Sequence, residues 1–208
     1  MNYIGSKLKL CQDFLPTTIK SFCGKDLSDK IFCDIFAGTG IVGRTFKTSV
    51  KKVISNDIEY YSYVLNKNYI ENHCEIKNKN EMLKELNLLP LINDGFIYKN
   101  YCLGGNGDRQ YFSDDNGKKI DTIRTAIENW KNEGRISDNQ YYFLLCSLLE
   151  CADKVANTAS VYGAYLKNLK KSAQKELILE PANFEINENE HQVYNMDANE
   201  LIKEIEGD

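Results

Sequence analysis

The sequence predicts an α/β fold in which a small parallel sheet is interrupted by a mostly helical insertion, and three observations lead to this prediction. Two β-branched and aromatic runs, at residues 30–36 and 51–58, are each followed by apolar residues at helical spacing. This strand–helix order is typical of the front half of a doubly wound α/β domain with right-handed crossovers. From about residue 74 to residue 184 the alternation stops, and long helical patterns replace it.

The elements of the front half follow in order along the chain. After an N-terminal turn, apolar spacing predicts a helix over residues 7–22. The first strand runs into a glycine-rich loop and a helix, within the stretch KIFCDIFAGTGIVGRTF at residues 30–46. The second strand ends at Asn56 and Asp57, and a further helix is predicted over residues 59–73. Two strand–helix units are therefore expected before the insertion.

The insertion is predicted to consist of helices and one long loop. Residues 103–119 are rich in Gly, Asn and Asp and are predicted to form that loop. A helix is expected over residues 120–134, where a glycine ends it. A longer, strongly apolar helix is expected over residues 137–160, with Ser137 or Asp138 as its N-cap.

The last part of the chain returns to the pattern of the front half. Residues 190–196 have strand character, and a final helix follows them. We therefore predict three segments: an α/β front half at residues 1–73, a helical insertion at residues 74–184, and a return to the α/β domain at residues 185–208.

Composition excludes several classes of protein. The 208 residues are 42% hydrophobic and 27% charged, and no apolar run approaches the roughly 18 residues that a membrane span needs. The N-terminus lacks the apolar core of a signal peptide, so a cytoplasmic protein is expected. The seven cysteines are scattered without a C-x-x-C pair, which predicts buried, reduced thiols and neither a metal site nor a disulfide framework.

The glycines after the first strand predict a loop that holds an anionic ligand group. Gly38, Gly40 and Gly43 fit the pattern G-x-G-x-x-G, and helix N-terminal N–H groups face the ligand in such loops. Asp57 lies 19 residues after Gly38, at the end of the second strand, where a carboxylate can accept both ribose hydroxyls. This spacing fits NAD and S-adenosylmethionine equally, because both present an adenosine ribose.

Asp34 distinguishes the two ligands. It stands at the end of the first strand, where a nicotinamide-binding fingerprint usually has an apolar residue, because a bare buried carboxylate is costly. A ligand with sulfonium and ammonium groups makes that carboxylate useful, which favours S-adenosylmethionine. The alternative is a structural acid that is bonded to amides of the loop.

Four motifs in order resemble one family, the Dam-like D12 class of adenine-N6 DNA methyltransferases. DIFAGTG at residues 34–40 resembles the D-x-F-x-G-x-G signature of amino-methylating DNA methyltransferases. NYIGSKLKL at residues 2–10 resembles the opening segment of the D12 class, SNDI at residues 55–58 its second cofactor motif, and NMDANELI at residues 195–202 its third. The resemblance covers essentially the whole chain. It implies a Rossmann-like, S-adenosylmethionine-dependent methyltransferase fold, here incomplete at the C-terminus and carrying the helical insertion.

The resemblance also implies which residues hold the cofactor, S-adenosylmethionine. Tyr3 would pack against the donor, and Lys7 would lie near the donor or the target base. Asp197 would lie near the exocyclic amine of the donor adenine, although Asp197 and Glu200 equally fit a capping pair for the last helix. The full set of implied donor-binding residues is Tyr3, Lys7, Asp34, Phe36, Ala37, Gly38, Thr39, Gly40, Asp57, Ile58 and Asp197.

In this family the segment between the second and third cofactor motifs carries the target-recognition domain, so the insertion would bind double-stranded DNA. Residues 108–124 and 152–173 look like stretches from that region of family members. Amides would suit base edges, aromatics stacking, and lysines phosphates. The implied DNA-binding residues are Arg109, Asn157, Tyr162, Tyr165, Lys167, Lys170 and Lys171. Two observations speak against this: lysine clusters are commonly solvated helix faces, and the net charge of −4 mildly disfavours DNA.

One family motif is missing from the sequence. Enzymes of this class use a D-P-P-Y-type loop to bind the flipped adenine and restore the nucleophilic character of its amino group. The three prolines here, Pro16, Pro90 and Pro181, are not adjacent to one another, so no such loop is present. The interpretation is a truncated or split methyltransferase with no catalytic residue in this chain, which would not methylate DNA unaided.

Two alternatives remain open at this point. The chain could be a non-catalytic module that binds DNA or a partner chain carrying the C-terminal methyltransferase half. It could instead be a nicotinamide oxidoreductase built on the glycine loop, although Asp34 and the lack of a second mononucleotide-binding half disfavour that function. No membrane and no metal ion are expected as partners.

Overall fold

The computed structural model describes residues 7–159 and 162–205, which form two compact units. We call them the sheet unit, comprising described residues 7–75 and 183–205, and the helical unit, comprising described residues 76–159 and 162–182. The chain passes from one unit to the other between residues 75 and 76 and again between residues 182 and 183. The α/β content and the small parallel sheet agree with the fold prediction in this coarse form.

Three parallel strands form the sheet in the order β1-β2-β3. They are β1 (Ile31–Asp34), β2 (Lys52–Asn56) and β3 (Gln192–Tyr194). Asp34 pairs with Ser55, and Asn56 pairs with Tyr194, so the three carboxyl ends meet at one edge. The central strand β2 is almost fully buried. Loops that follow the three strands therefore converge at this edge, as in other parallel sheets.

Short helices flank the sheet. They are α1 (Leu8–Gln12), α2 (Phe14–Cys23), α3 (Ile41–Phe46), α4 (Tyr60–Asn66) with a π-helical turn at Lys67–Glu71, and α9 (Ala198–Glu204). The single helix predicted over residues 7–22 was wrong, because the chain breaks at Asp13 with φ −148°. Pro16 gives the physical reason: it has no N–H to donate to the carbonyl of Gln12, and its ring would clash there. The proline is tolerated in the first turn of α2.

A small apolar core supports the sheet. Phe46 of α3 stacks on Phe32 of β1 with ring centroids 4.7 Å apart, and both pack with the buried side chains of Val53 and Ile70. The cluster is completed by Leu27 and Val50. The glycine at position 43 lets α3 approach, since a Cβ there would lie 2.6 Å from Ile70 Cδ1. Ile70 lies in the turn after α4, and the same Cβ would lie 3.3 Å from Cγ1 of Val53 on β2, so the third glycine of the motif gives α3 room beside both elements.

Polar side chains fix the returning segment beside β2. His191 is 4% exposed, and its Nδ1 accepts a hydrogen bond from the backbone N–H of Val53 at 3.0 Å. Asn189 donates to the carbonyl of Val50 at 2.9 Å, and Asn187 donates to that of Lys47 at 3.0 Å. The imidazole thus takes the place of a strand carbonyl just before β3 begins. This bond sets where the third strand joins the sheet.

The helical unit contains α5 (Lys79–Leu88), α6 (Phe96–Tyr101), α7 (Asp114–Asn132) and α8 (Asp138–Val155). The prediction of a loop up to residue 119 was wrong, because α7 already begins at Asp114. Ser113 caps it by accepting a hydrogen bond from the backbone N–H of Asn116 at 3.4 Å, and acidic residues occupy its first turn. Gly134, at φ +68°, follows the end of α7 as predicted.

Ser137 is the N-cap of α8 and forms a capping box with Gln140. The helix ends at Val155 and not near residue 160 as predicted. The chain turns there because Thr158 forms an antiparallel bridge with Tyr165.

The core of the helical unit lies between α7 and α8. Ile123, Ile127, Phe143 and Leu144 are at most 1% exposed. Among helices of the described residues, none combines the length and the apolar character that a bilayer crossing needs. All seven cysteines are free thiols, and four of them are buried.

Candidate functional site

The glycine loop joins β1 to α3 at the carboxyl edge of the sheet. Gly38 has φ +54° and Gly40 has φ +74°, so both occupy the left-handed region that other residues rarely adopt. The backbone N–H of Gly40 donates to the carbonyl of Ala37 at 2.8 Å, which closes the turn directly before α3. Within the loop Ala37 is buried and Thr39 is half-buried.

Asp57 contacts this loop directly. One carboxylate oxygen, Oδ2, accepts a hydrogen bond from the backbone N–H of Gly38 at 2.7 Å. The other, Oδ1, accepts one from the backbone N–H of Glu59 at 2.9 Å. A carboxylate has about four acceptor sites, so roughly two remain for a ligand. The glycine loop and the acid that the sequence analysis paired through spacing are therefore brought together.

Asp34 adds a second carboxylate at the same edge. Burial raises the pKa of this carboxyl group, and the charge of Asp57 raises it further, while a hydrogen bond from the Phe36 amide opposes both. The charge of Asp57 disfavours ionisation of Asp34, so this edge of the sheet has a negative potential. A cation bound beside Asp34 would lower the pKa of its carboxyl group. The hydrogen bond from the backbone N–H of Phe36 also fits the alternative interpretation of Asp34 as a structural acid.

Exposed apolar side chains follow the two acids. Phe36 is 76% exposed, two residues after Asp34, and Ile58 is 65% exposed, directly after Asp57. Large apolar groups are normally covered, and single exposed ones need no explanation. Here they flank the predicted ligand-binding loop, where apolar parts of a ligand can cover them.

Two buried amides for which no role was predicted from the sequence connect the segments around the site. Asn56, 2% exposed, donates to the carbonyl oxygens of Ile35 at 3.2 Å and Met196 at 3.0 Å. Its Oδ1 accepts a hydrogen bond from the backbone N–H of Met196 at 3.1 Å, so it ties the segment after β1 to the segment after β3. The buried side chain of Asn66, on α4, donates a hydrogen bond from Nδ2 to the carbonyl of Gly38 at 3.0 Å. An amide at the last position of a buried strand was the signal available for Asn56.

The remaining predicted donor-binding residues take no part in the hydrogen bonds described above. Asp197 is exposed and is the N-cap of α9, where it accepts a hydrogen bond from the backbone N–H of Asn199 at 2.7 Å. The Glu200 carboxylate pairs with Lys203 at 2.8 Å. Lys7 is exposed at the start of α1, and Tyr3 lies outside the described residues. The capping role of Asp197 is thus present, and its role toward a ligand stays a prediction.

In the helical unit, aromatic side chains from the end of α6 and from two loops pack on one another. The Tyr111 ring lies 5.2 Å from that of Tyr165, 6.2 Å from that of Tyr162 and 5.5 Å from that of Tyr101. Tyr162 remains 46% exposed and Tyr165 39% exposed. The exposed guanidinium of Arg109 lies 5.7 Å from the centroid of the Tyr101 ring. We call these four tyrosines the tyrosine cluster, and three of the predicted DNA-binding residues lie in it or against it.

Asn157 does not have the surroundings of a base-reading residue. It is fully buried, and its Nδ2 donates to the carbonyls of Gln110 at 2.9 Å and Leu166 at 2.8 Å. Its Oδ1 accepts a hydrogen bond from the backbone N–H of Lys170 at 3.0 Å. The amide is therefore used in joining three backbone segments, and we leave Asn157 out of the proposed DNA contacts.

The predicted lysines divide into two groups. Lys167 and Lys171 are exposed. Lys170 is half-buried, and its ammonium group donates to the carbonyl of Thr158 at 2.8 Å. Only the first two have an environment that suits phosphate contacts. In the described part of the chain no cluster of side chains could hold a metal ion.

The known proteins that the chain resembles are named as DNA methyltransferases or modification methylases. The family model described as D12 class N6 adenine-specific DNA methyltransferase matches residues 3–208. The chain is 64% identical, over its whole length, to the type II methyltransferase M.NlaIII of Neisseria lactamica, of which it covers 62%. No solved structure matches the chain.

More distant relatives carry similar names. The chain is 39% identical, over 97% of its length, to the type II methyltransferase M.CviAII of Paramecium bursaria Chlorella virus 1, of which it covers 60%. It is 36% identical, over its whole length, to the modification methylase StsI of Streptococcus sanguinis, of which it covers 32%. The chain therefore spans less than two thirds of each of these relatives.

Proposed function

Because the chain belongs to the D12 class N6 adenine-specific DNA methyltransferases, we propose that it binds S-adenosylmethionine and serves in site-specific methylation of adenine N6 in duplex DNA. The relatives' names support a role in DNA modification or restriction-modification. An enzyme that acts on DNA in this way is expected in the cytoplasm. The sheet would belong to a Rossmann-like methyltransferase domain, and the helical unit would recognise the target.

A single observation carries the donor-binding proposal: the hydrogen bond from the Gly38 amide to the Asp57 carboxylate, at 2.7 Å. It joins a loop of two left-handed glycines to an acid that keeps free acceptor sites. Adenosine ribose hydroxyls need such a carboxylate, and the carboxyl edge of a parallel sheet is the usual location for nucleoside ligands. The residues present therefore fit this donor.

Asp34 would make the site selective for a cationic donor. S-adenosylmethionine supplies an electrophilic methyl group on a positively charged sulfur. Burial and the charge of Asp57 raise the pKa of Asp34, so a bound cation would stabilise its carboxylate. The exposed side chains of Phe36 and Ile58 would cover apolar parts of the ligand.

DNA contact is proposed for the exposed side of the tyrosine cluster. Tyr162 and Tyr165 could stack on bases, while Arg109, Lys167 and Lys171 could bind phosphates. A base methylated at an exocyclic amine has to leave the stack, which costs a few kcal/mol and is compensated by contacts of this kind. The D-P-P-Y motif is absent from these 208 residues. We therefore expect donor binding from this chain without turnover.

Two measurements test the proposal. Calorimetry of the chain with S-adenosylmethionine and, separately, with NAD should give binding of the first only. Tritium transfer from the donor to duplex DNA should be undetectable for the 208-residue chain. NAD binding without donor binding would overturn the methyl-donor site. Turnover by the chain alone would instead overturn the expectation drawn from the missing motif.

A further inference from the structure

We infer that Asn66 is a positioning residue for donor binding: it holds the glycine loop in the conformation that presents Gly38 to Asp57. The inference rests on the proposed function, since it concerns the same site. Gly38 has hydrogen-bond partners at both its N–H and its carbonyl: Asp57, which faces the proposed ligand site, and the buried Asn66.

Both N–H donors of the Asn66 amide and its oxygen have hydrogen-bond partners. Asn66 is the last residue of α4 and is 1% exposed. Its Nδ2 donates to the carbonyl of Gly38 at 3.0 Å and to the carbonyl of Ser62 at 2.7 Å. Its Oδ1 accepts a hydrogen bond from the hydroxyl of Ser55 at 2.8 Å. Two carbonyl oxygens on one side require the NH₂ group there, so the orientation of the amide is determined.

Gly38 is consequently held at both ends. Its N–H donates to Asp57 Oδ2 at 2.7 Å, and its carbonyl accepts from Asn66 Nδ2 at 3.0 Å. A glycine at φ +54° has many alternatives open to it, since it lacks a Cβ. The buried bond removes those alternatives before any ligand arrives, and such preorganisation lowers the entropy cost of binding.

Gly40 shows that the same amide also shapes the loop by its volume. A Cβ built at Gly40 would lie 2.5 Å from Asn66 Oδ1. The second glycine of the motif is therefore required both by its φ of +74° and by the space that Asn66 occupies. The loop is fitted between β2 and the last residue of α4.

Asn66→Asp tests this role most sharply, because it keeps the shape and removes both donors. A carboxylate at this position would face two carbonyl oxygens and repel them. A protonated carboxyl has one O–H and could restore one of the bonds. Donor binding by the variant should therefore depend on pH in a way that a loss of packing would not produce.

The experiment is calorimetry of the full 208-residue chain with S-adenosylmethionine at pH 7.5 and pH 5. The ratio of the dissociation constants of Asn66→Asp and the unaltered chain should be at least tenfold at pH 7.5 and smaller at pH 5. Using the ratio cancels the titration of Asp34, which affects both proteins. Hydrogen exchange without ligand should be faster over residues 36–43 of the variant.

Asn116→Asp in the helical unit is the matched control. Asn116 is 2% exposed, and its Nδ2 donates to the carbonyls of Lys175 at 2.9 Å and Ala173 at 3.4 Å. Its Oδ1 accepts a hydrogen bond from the backbone N–H of Leu177 at 2.8 Å. The same substitution there should leave the donor dissociation constant and the exchange of residues 36–43 unchanged.

The outcomes separate the inference from the proposed function. If the unaltered chain binds no S-adenosylmethionine, both are overturned. If it binds and Asn66→Asp binds equally well at pH 7.5, or shows the same ratio at both pH values, only the inference is overturned. Unfolding of the whole sheet unit in Asn66→Asp, detected as fast exchange throughout it, would also overturn the inference, since Asn66 would then support the unit and not the loop.

Discussion

Both the sheet unit and the helical unit contain buried asparagines, but the asparagines of the two units bind different kinds of backbone segment. In the sheet unit Asn56 and Asn66 bind carbonyls of the loops that follow the strands, where the candidate site lies. In the helical unit Asn116 and Asn157 bind carbonyls of irregular segments that cover the helices. An asparagine side chain offers two donors and an acceptor, so it can replace a regular hydrogen-bond ladder wherever the backbone is irregular. A buried asparagine therefore indicates irregular backbone nearby. It indicates a functional role only where that backbone belongs to a ligand-binding loop.

The two units also differ in what stabilises them. The helical unit has a continuous apolar contact between two long helices, whereas the sheet unit has a small core and relies on hydrogen bonds at strand ends. Loss of apolar volume should therefore cost most in the helical unit. Protonation of buried polar groups should lower the free energy of unfolding most in the sheet unit.

The largest effect is expected for Phe143→Ala in the helical unit. The side chain is 1% exposed, and removing a buried phenylalanine costs about 3–5 kcal/mol through lost burial and the remaining cavity. Denaturant unfolding measures the loss. Leu88→Ala, at a position 74% exposed, is the control and should change the free energy of unfolding by less than about 0.5 kcal/mol. Equal losses in both variants would contradict the difference between core and surface.

A pH-dependent effect of nearly that size is expected at His191. Burial, followed by the charges of Lys47 and His73, lowers the pKa of His191 from 6.5 to about 4. The unfolded chain takes up a proton below pH 6.5 while the folded chain does not. Stability is therefore present above pH 6.5 and is lost as the pH falls toward 4, by about 3 kcal/mol.

His191→Gln should remove this dependence, as measured by denaturant unfolding between pH 7 and pH 4. His73→Gln is the matched control, since only these two histidines are present. The idea fails if His191→Gln keeps the acid-induced loss of the unaltered protein.

A smaller effect, on binding, is expected for Asp57→Ala. It removes the proposed ribose acceptor and leaves the Gly38 amide without its partner. The affinity for S-adenosylmethionine should fall roughly 30-fold, about 2 kcal/mol, as measured by calorimetry. Asp29→Ala, which removes an exposed acid paired with Lys30, should leave the affinity unchanged. Unchanged affinity in Asp57→Ala would remove the basis of the site assignment.

The smallest effects are expected for the exposed lysines of the helical unit. Lys167→Ala and Lys171→Ala should each weaken DNA binding slightly and lower the slope of log affinity against log salt by about 1. Fluorescence anisotropy with duplex DNA over a range of salt concentrations measures both. Lys84→Ala on α5 removes the same charge elsewhere in the unit and should keep the slope. An equal change in all three variants would indicate a general charge effect.

Local sequence was sufficient for some elements and not for others. The alternation of strands and helices, the cap at Ser137 and the glycine turn before α3 follow from residues that are neighbours in the chain. The start of α7 at Asp114 was missed because loop-type composition hid a serine cap. The break before α2 is caused by Pro16, which cannot donate a hydrogen bond to the carbonyl of Gln12, four residues earlier.

The family resemblance, the glycine loop and the acids at positions 34 and 57 could be read from the sequence, because each lies in a motif of a few adjacent residues. The amides that support the loop, and the burial of Asn157 within its own unit, depend on how distant segments pack. The bonds of Asn66 and Asn157 span 28 and 47 residues of chain, to Gly38 and Gln110. Such partners are chosen by packing of distant segments, which no local pattern encodes.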